Sequence, residues 1–171
     1  EGGKGGYRHV RISGKPIYDS EGSFIGYRGT GSDITEARRR DEELRRSEQR
    51  FRNLIEGSIQ GLVVFLDAKP VFANQAFLRQ VGATSLDQVM GTDSTDFIHP
   101  DDRDRALARR DGMVNNNQPI APVEVKRLRL DGSVYYGEVA ATLLVWEGKP
   151  AAQVVCRDIT ERKQVEETLL F

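Results

Sequence analysis

The residues able to carry chemistry are few. Cys156 is the single cysteine, and His9 and His99 are the two histidines. A lone cysteine forms no internal disulfide and suits a reducing compartment. No His-x-x-x-His or Cys-x-x-Cys spacing offers a metal site. GGKGG, Gly2 to Gly6, lacks the following helix and closing Ser/Thr of a phosphate loop and reads as an engineered or flexible lead. No catalytic serine or cysteine signature appears. Asp101, Asp102 and Asp104 form an acid cluster at a predicted helix start, where the macrodipole accounts for them. His99, just before Pro100, reads as part of the same cap. These residues point away from an enzyme; the metal expectation is none.

One phrase is repeated instead. GSDITEARRRDEE (31–43) and CRDITERKQVEE (156–167) share Asp-Ile-Thr-Glu. Each follows a strand-like run and opens a charged, helix-like run. Asp33 and Asp158 lie 125 residues apart (158 − 33). Asp158 with Glu161, and Asp33 with Glu36, have the spacing of an N-cap and its capping-box return. Thr35 and Thr160 supply a further side-chain oxygen at each junction.

The elements that must position these residues follow from composition and pattern. The chain has 171 residues, 38% hydrophobic and 30% charged, enough for one packed core plus exposed helix. A net charge of −1 gives no global field for nucleic acid. No apolar run reaches the roughly 18 residues of a membrane span, and no signal peptide opens the chain. A start at Glu1 without Met suggests a piece of something longer. Residues 7–35 read as a β-hairpin turning at Asp19 to Gly22, and two strands alone bury too little to be stable. Residues 36–56 read as a long helix, with i,i+4 pairs Glu36/Arg40, Asp41/Arg45, Glu42/Arg46 and Glu48/Arg52. Ala37, Leu44, Phe51 and Leu54 form an apolar stripe along it, broken by Arg40 and Ser47; a coiled coil and a solvated helix both fit.

Beyond it, GLVVFLD and PVFAN read as strands. QAFLRQVG reads as a short helix ended by Gly82, and SLDQVMG as another, capped by Ser85 and closed by Gly91. A longer helix starts at Pro100 and dissolves into Asn115 to Asn117. The alternation Val123, Val125, Arg127 leads into a hairpin at Asp131-Gly132, EGKP is a second turn, and AAQVVCRDI is the last strand. The predicted class is α+β: a five-stranded antiparallel sheet with short helices over one face, plus the long N-terminal helix.

In that order the phrases resemble a PAS domain. SEQRFRNLIEGSIQGLVVFLD resembles the first helix and strand, and PVFANQAF the second strand with the Asn that begins the next helix. IHPDDR is similar to the phrase before the long helix, RLRLDGSVYYGEV to the central hairpin, and RDITERK to the terminal signature. The resemblance runs from Ser47 to Lys163 and places a PAS domain at 57–160, with an exit helix starting at 161–171. Residues 1–35 resemble the last two strands of a second, upstream PAS domain, so the repeated phrase is expected to mark two modules in tandem.

What the resemblance implies is a sensory and dimerisation module of a cytoplasmic, bacterial signalling protein. It would relay a signal through its C-terminal helix to an output domain such as a histidine kinase. The alternative is a small-molecule or flavin-binding sensor of a diguanylate cyclase or phosphodiesterase. Asp158, Thr160, Glu161, Asp33, Thr35 and Glu36 are then candidate signal-junction residues. Haem is disfavoured because 104–118 holds no His, and a covalent flavin because no Asn-Cys-Arg phrase occurs; the cofactor is otherwise unknown. The cup between sheet and helices is expected to be lined by Val64, Leu66, Phe77, Val81, Phe97, Val125, Val139 and Cys156, and a ligand-free packed core fits the same residues. The expected partners are a second copy, met through the long helix and the sheet, and the downstream output domain.

Overall fold

A computed structural model describes residues 7–169; Gly2 to Gly6 lie outside them. The chain divides into two compact units between Arg52 and Asn53.

The first unit holds β1 (Val10–Tyr18) and β2 (Phe24–Asp33), paired antiparallel from Val10 opposite Asp33 to Tyr18 opposite Phe24. Asp19 organises the turn. Its Oδ1 accepts the N–H groups of Glu21 and Ser23 at 2.9 and 2.8 Å, and Gly22 takes a left-handed φ of +83°. The helix α1 (Thr35–Glu56) begins here and runs across the division without a buried residue. Of its four predicted pairs, Glu36–Arg40 closes at 3.1 Å and Glu42–Arg46 at 2.6 Å. Leu44, Phe51 and Leu54 are 60%, 65% and 75% exposed, so among the described residues the stripe is left uncovered.

The second unit carries the sheet. Its strands are β3 (Gly61–Leu66), β4 (Lys69–Ala73), β5 (Ile120–Leu128), β6 (Val134–Trp146) and β7 (Lys149–Asp158), in the order β4-β3-β7-β6-β5 and all antiparallel. Between β4 and β5 come α2 (Gln75–Val81), two 3₁₀ turns (Leu86–Gln88 and Ser94–Phe97) and α3 (Pro100–Asn116). The last helix is α4 (Thr160–Leu169). As expected, Gly82 ends α2 in a left-handed conformation. Ser85 does not cap the next element: its side chain makes no cap bond there. The element is a single 3₁₀ turn, and Gln88 Oε1 accepts the Thr84 N–H at 2.7 Å beside it. The Ser94–Phe97 turn, boxed by Asp93 and Asp96, went unpredicted because its four residues carry no helical period.

The core packs α2 against β3 through Val63, Phe65, Phe77, Val81, Val89 and Phe97. Phe77 and Phe97 meet edge to face at 5.7 Å. Asn74 stands at its edge, fully buried. Its Oδ1 accepts the N–H groups of Leu62 and Phe77, each at 2.9 Å. Its Nδ2 donates to the carbonyls of Ile55 and Gln60, each at 3.0 Å. One amide therefore joins the end of α1, the start of β3 and the first turn of α2, with every lone pair and proton used.

A second lock joins α3 to β5. Asp102 is 5% exposed, and its Oδ2 accepts the Lys126 N–H at 2.7 Å while Oδ1 meets Arg105. His99 donates its N–H to the Lys126 carbonyl at 2.9 Å, and its Nδ1 accepts the Asp101 N–H at 3.3 Å, the capping role expected of it. Burial pushes the Asp102 carboxyl upward, but the Lys126 N–H and the Arg105 guanidinium outweigh it and hold the carboxyl below its ordinary value.

Two outcomes follow from these locks. Asn74→Asp removes both donors and sets a carboxylate against two carbonyls, so it should cost about 3 kcal/mol in urea unfolding; a change under about 1 kcal/mol would show that the amide is not a hub. Because the folded Asp102 titrates below the unfolded one, its stabilisation is complete above about pH 4 and is lost as pH falls through the folded value. Asp102→Asn should therefore flatten the acid limb of a stability–pH curve measured between pH 5 and pH 2.

Candidate functional site: a cavity and a strand-to-helix junction

The inner face of the sheet and α3 flank a half-open cavity of about 730 Å³. β5 contributes Val123 and Val125, β6 Val139 and Ala141, β7 Ala152 and Val154, and α3 Leu107 and Met113. Four charged side chains also line it: Asp67, Arg109, Arg110 and Arg127.

Of the eight residues expected to line a cup, Val125 and Val139 line this cavity. Phe77, Val81 and Phe97 do not; they are at most 1% exposed within the closed core beside it. Val64 and Leu66 lie one residue out of phase, and Phe65 lines the cavity in their place. GLVVFL is apolar at every position after its glycine, so alternation cannot tell its two faces apart. Cys156 is fully buried on β7 in step with Val154, and its Sγ lies 3.0 Å from where a Cβ on Gly137 would stand. That glycine admits the close approach of Cys156 and of Arg127, whose Cδ lies 2.7 Å from the same point.

Arg127, Tyr135 and Arg129 were not singled out in advance. Arg127 occupies the inward phase after Val123 and Val125, where a cation is out of pattern; that was the available signal. It is 4% exposed, and its guanidinium lies 5.8 Å from the ring centroids of both Phe77 and Tyr135. Among the described residues, Arg127 Nε, the Tyr135 hydroxyl and Gln80 Oε1 are buried without a hydrogen-bond partner. Burial holds the Tyr135 phenol well above its usual range, so it stays neutral. Arg129 stacks on the same ring at 4.7 Å and reaches Asp158 at 3.5 Å.

Asp158 belongs to the junction. It is the last residue of β7, paired with Gly137. Its Oδ1 accepts the Thr160 N–H at 2.9 Å, and Thr160 Oγ1 accepts the Tyr136 N–H at 3.0 Å. Ile159 donates to the Tyr136 carbonyl at 2.8 Å and accepts the Lys163 N–H at 3.0 Å. The first unit repeats all four bonds. Thr35 N–H meets Asp33 Oδ1 at 2.9 Å, and His9 N–H meets Thr35 Oγ1 at 2.8 Å. Ile34 N–H meets the His9 carbonyl at 2.8 Å, and Arg38 N–H the Ile34 carbonyl at 3.0 Å. Hydrogen bonds from Thr35 hold the Asp33 carboxyl below its ordinary value.

This geometry corrects the capping-box expectation by one residue. The first helical carbonyl comes from Ile34 or Ile159, because the strand pairing extends through Asp33 and Asp158. Glu36 pairs with Arg40 instead, and Glu161 is exposed. In the second unit, α4 is also tied to β5: Glu124 meets Arg162 at 2.5 Å and also Lys163, which holds the Glu124 carboxyl below its ordinary value.

Among the described residues, no three potential metal ligands stand together, and no helix is long and apolar enough to cross a membrane. Sporulation kinase A of Bacillus subtilis (strain 168) is 28% identical over 138 residues, which is 81% of this chain and 23% of that protein. The chain thus spans about a quarter of that relative's length. Among solved structures, the PAS domain of an HTR-like protein from Haloarcula marismortui superposes with a TM-score of 0.59 at 24% identity, covering 71% of this chain and 99% of that one. A sensory box histidine kinase/response regulator from Burkholderia thailandensis E264 gives 0.52 at 24% identity, over 70% of this chain and 92% of that one. At such identities the likeness is one of fold, and it agrees with the α+β sheet expected from the pattern of elements. Residues 49–159 match the PAS fold, well over half of the sequence, and the chain belongs to the PAS family.

Proposed function

We propose that this PAS sensory domain is a cytoplasmic relay, without catalysis of its own, that passes a signal from its cavity through the strand-to-helix junction to a downstream output domain. The observation that carries this reading is the duplicated junction. A set of four hydrogen bonds that turns a strand into a helix recurs, atom for atom, at both Asp-Ile-Thr phrases. Such a connection has a defined engaged state, which a sheet movement can lose or keep, and that is what a two-state relay requires. Tyr135 adds a physical route. It contacts Arg127 at the cavity wall and Arg129 at the junction, and its neighbour Tyr136 supplies both backbone bonds to the Asp158 phrase.

In this reading the hairpin of residues 1–35 is the end of an upstream PAS module, 36–56 is the linker, 57–160 the sensor, and 161–171 the start of the output connection. Likeness to Sporulation kinase A favours a histidine kinase as that output. The cavity favours a small-molecule signal, whether the output is a kinase or a diguanylate cyclase or phosphodiesterase. The uncovered stripe on α1 favours a second copy of the chain as its partner, joined by the outer face of the sheet, where Phe72 and Trp146 meet at 5.9 Å.

Two experiments test the reading. With the natural downstream sequence attached, Asp158→Ala should lower stability by about 1 kcal/mol and abolish the response of output to signal. Asp158→Asn and Asp158→Ser keep an accepting oxygen and should keep most of that response. Normal signalling by Asp158→Ala would remove the junction from the mechanism. Separately, sedimentation at micromolar concentration should show a dimer that Leu44→Glu with Phe51→Glu converts to a monomer. A wild-type chain that stays monomeric across that range would refute the dimer.

A further inference from the structure

The cavity's charge does not match its walls. Its lining is apolar along β5, β6 and α3, yet it holds three arginines, Arg109, Arg110 and Arg127, against one carboxylate, Asp67. Arg127 is the deepest of them at 4% exposure. No ion pair among the described residues includes it, and its Nε is buried without a partner. Its neighbours are the rings of Phe77 and Tyr135 and the thiol of Cys156, none of them a carboxylate. A guanidinium presents its N–H donors in a fixed fork that fits a planar carboxylate, and the unpartnered Nε is part of that fork. A buried cation without a counter-charge is costly, and a bound carboxylate would supply that charge in the geometry the fork favours.

We infer that the cavity takes an amphipathic monocarboxylate, with its carboxylate on Arg127 and its apolar body against Val125, Val139 and Met113. This deepens the ligand-sensing reading above and rests on it. One cation at the inner end calls for one carboxylate, and the aliphatic walls call for a hydrocarbon body. The ligand class is that of a medium-chain fatty acid. Arg109 and Arg110, on α3, add a positive field that favours entry of an anion and disfavours a neutral or cationic body of the same shape.

Isothermal titration of the chain with decanoate, kept below its micellar concentration, and with decan-1-ol tests this. Decanoate should bind one per chain and at least about tenfold more tightly than decan-1-ol, the ordinary margin of a charge-assisted hydrogen bond. Arg127→Met keeps the volume and removes the charge. It should weaken decanoate at least about tenfold, leave decan-1-ol unchanged, and melt no lower than the wild type without ligand. Decan-1-ol binding as tightly as decanoate, or decanoate binding undiminished in Arg127→Met, overturns the anionic anchor and leaves the ligand-sensing reading standing. Binding of neither compound overturns both. The decanoate–decanol comparison uses the unaltered chain, so it decides the matter even if Arg127→Met fails to fold.

Discussion

The second unit depends on one fully satisfied amide. Asn74 is buried, and it bonds at once to the end of α1, the loop before β3, β3 itself and α2. A carboxylate there lacks the donors, and an apolar side chain leaves four backbone groups without the partner that Asn74 supplies. The closed core forms on one side of this point, through Phe77 and Val81. On the other side β3 runs out beneath the cavity. The position of the first strand relative to the first short helix is thus set by side-chain hydrogen bonding, with apolar packing filling the space that bonding defines.

The region around Arg127 follows the opposite rule. There the fold accepts three buried polar atoms without partners, on Arg127, Tyr135 and Gln80, of which Arg127 lines the cavity. Gly137 makes the arrangement sterically feasible, since any side chain at that position would collide with Arg127 and Cys156. A domain selected only for stability would fill such a place with apolar atoms. In the proposed reading, Asn74 and Asp102 serve stability, and Arg127 and Tyr135 serve signal reception.

Much of the fold was legible because local rules and global packing agree. Gly82, Gly132 and Gly148 each end or turn an element in the left-handed conformation that glycine favours. The cavity was legible only in part. Val125 lies between Glu124 and Lys126 and Val139 follows Glu138, so their inward phase can be read; β3 has no such contrast, and Phe65 rather than Val64 or Leu66 lines the cavity. Phe77, Val81 and Phe97 are apolar and inward, but whether an inward residue faces a void or a neighbour depends on the distance between layers, which no pattern encodes. The junction shows the same limit. The residue types of Asp-Ile-Thr announce a strand-to-helix turn, while the length of β7, and so the residue that supplies the first helical carbonyl, is set by pairing with β6.

The junction bonds have a further property. Every acceptor and donor in the set is either a backbone atom or a side chain of the Asp-Ile-Thr phrase itself. The residue opposite contributes only its main chain, which is why His9 serves in one unit and Tyr136 in the other. One copy sits on a two-stranded ribbon and the other on a five-stranded sheet. A coupling that asks nothing of its neighbours' side chains is portable. It can be cut from one protein and spliced into another at the same three residues, and the recipient sheet needs only a free pair of main-chain groups to accept it. The four bonds ask of the opposite strand one main-chain N–H and one carbonyl, whatever side chain stands there.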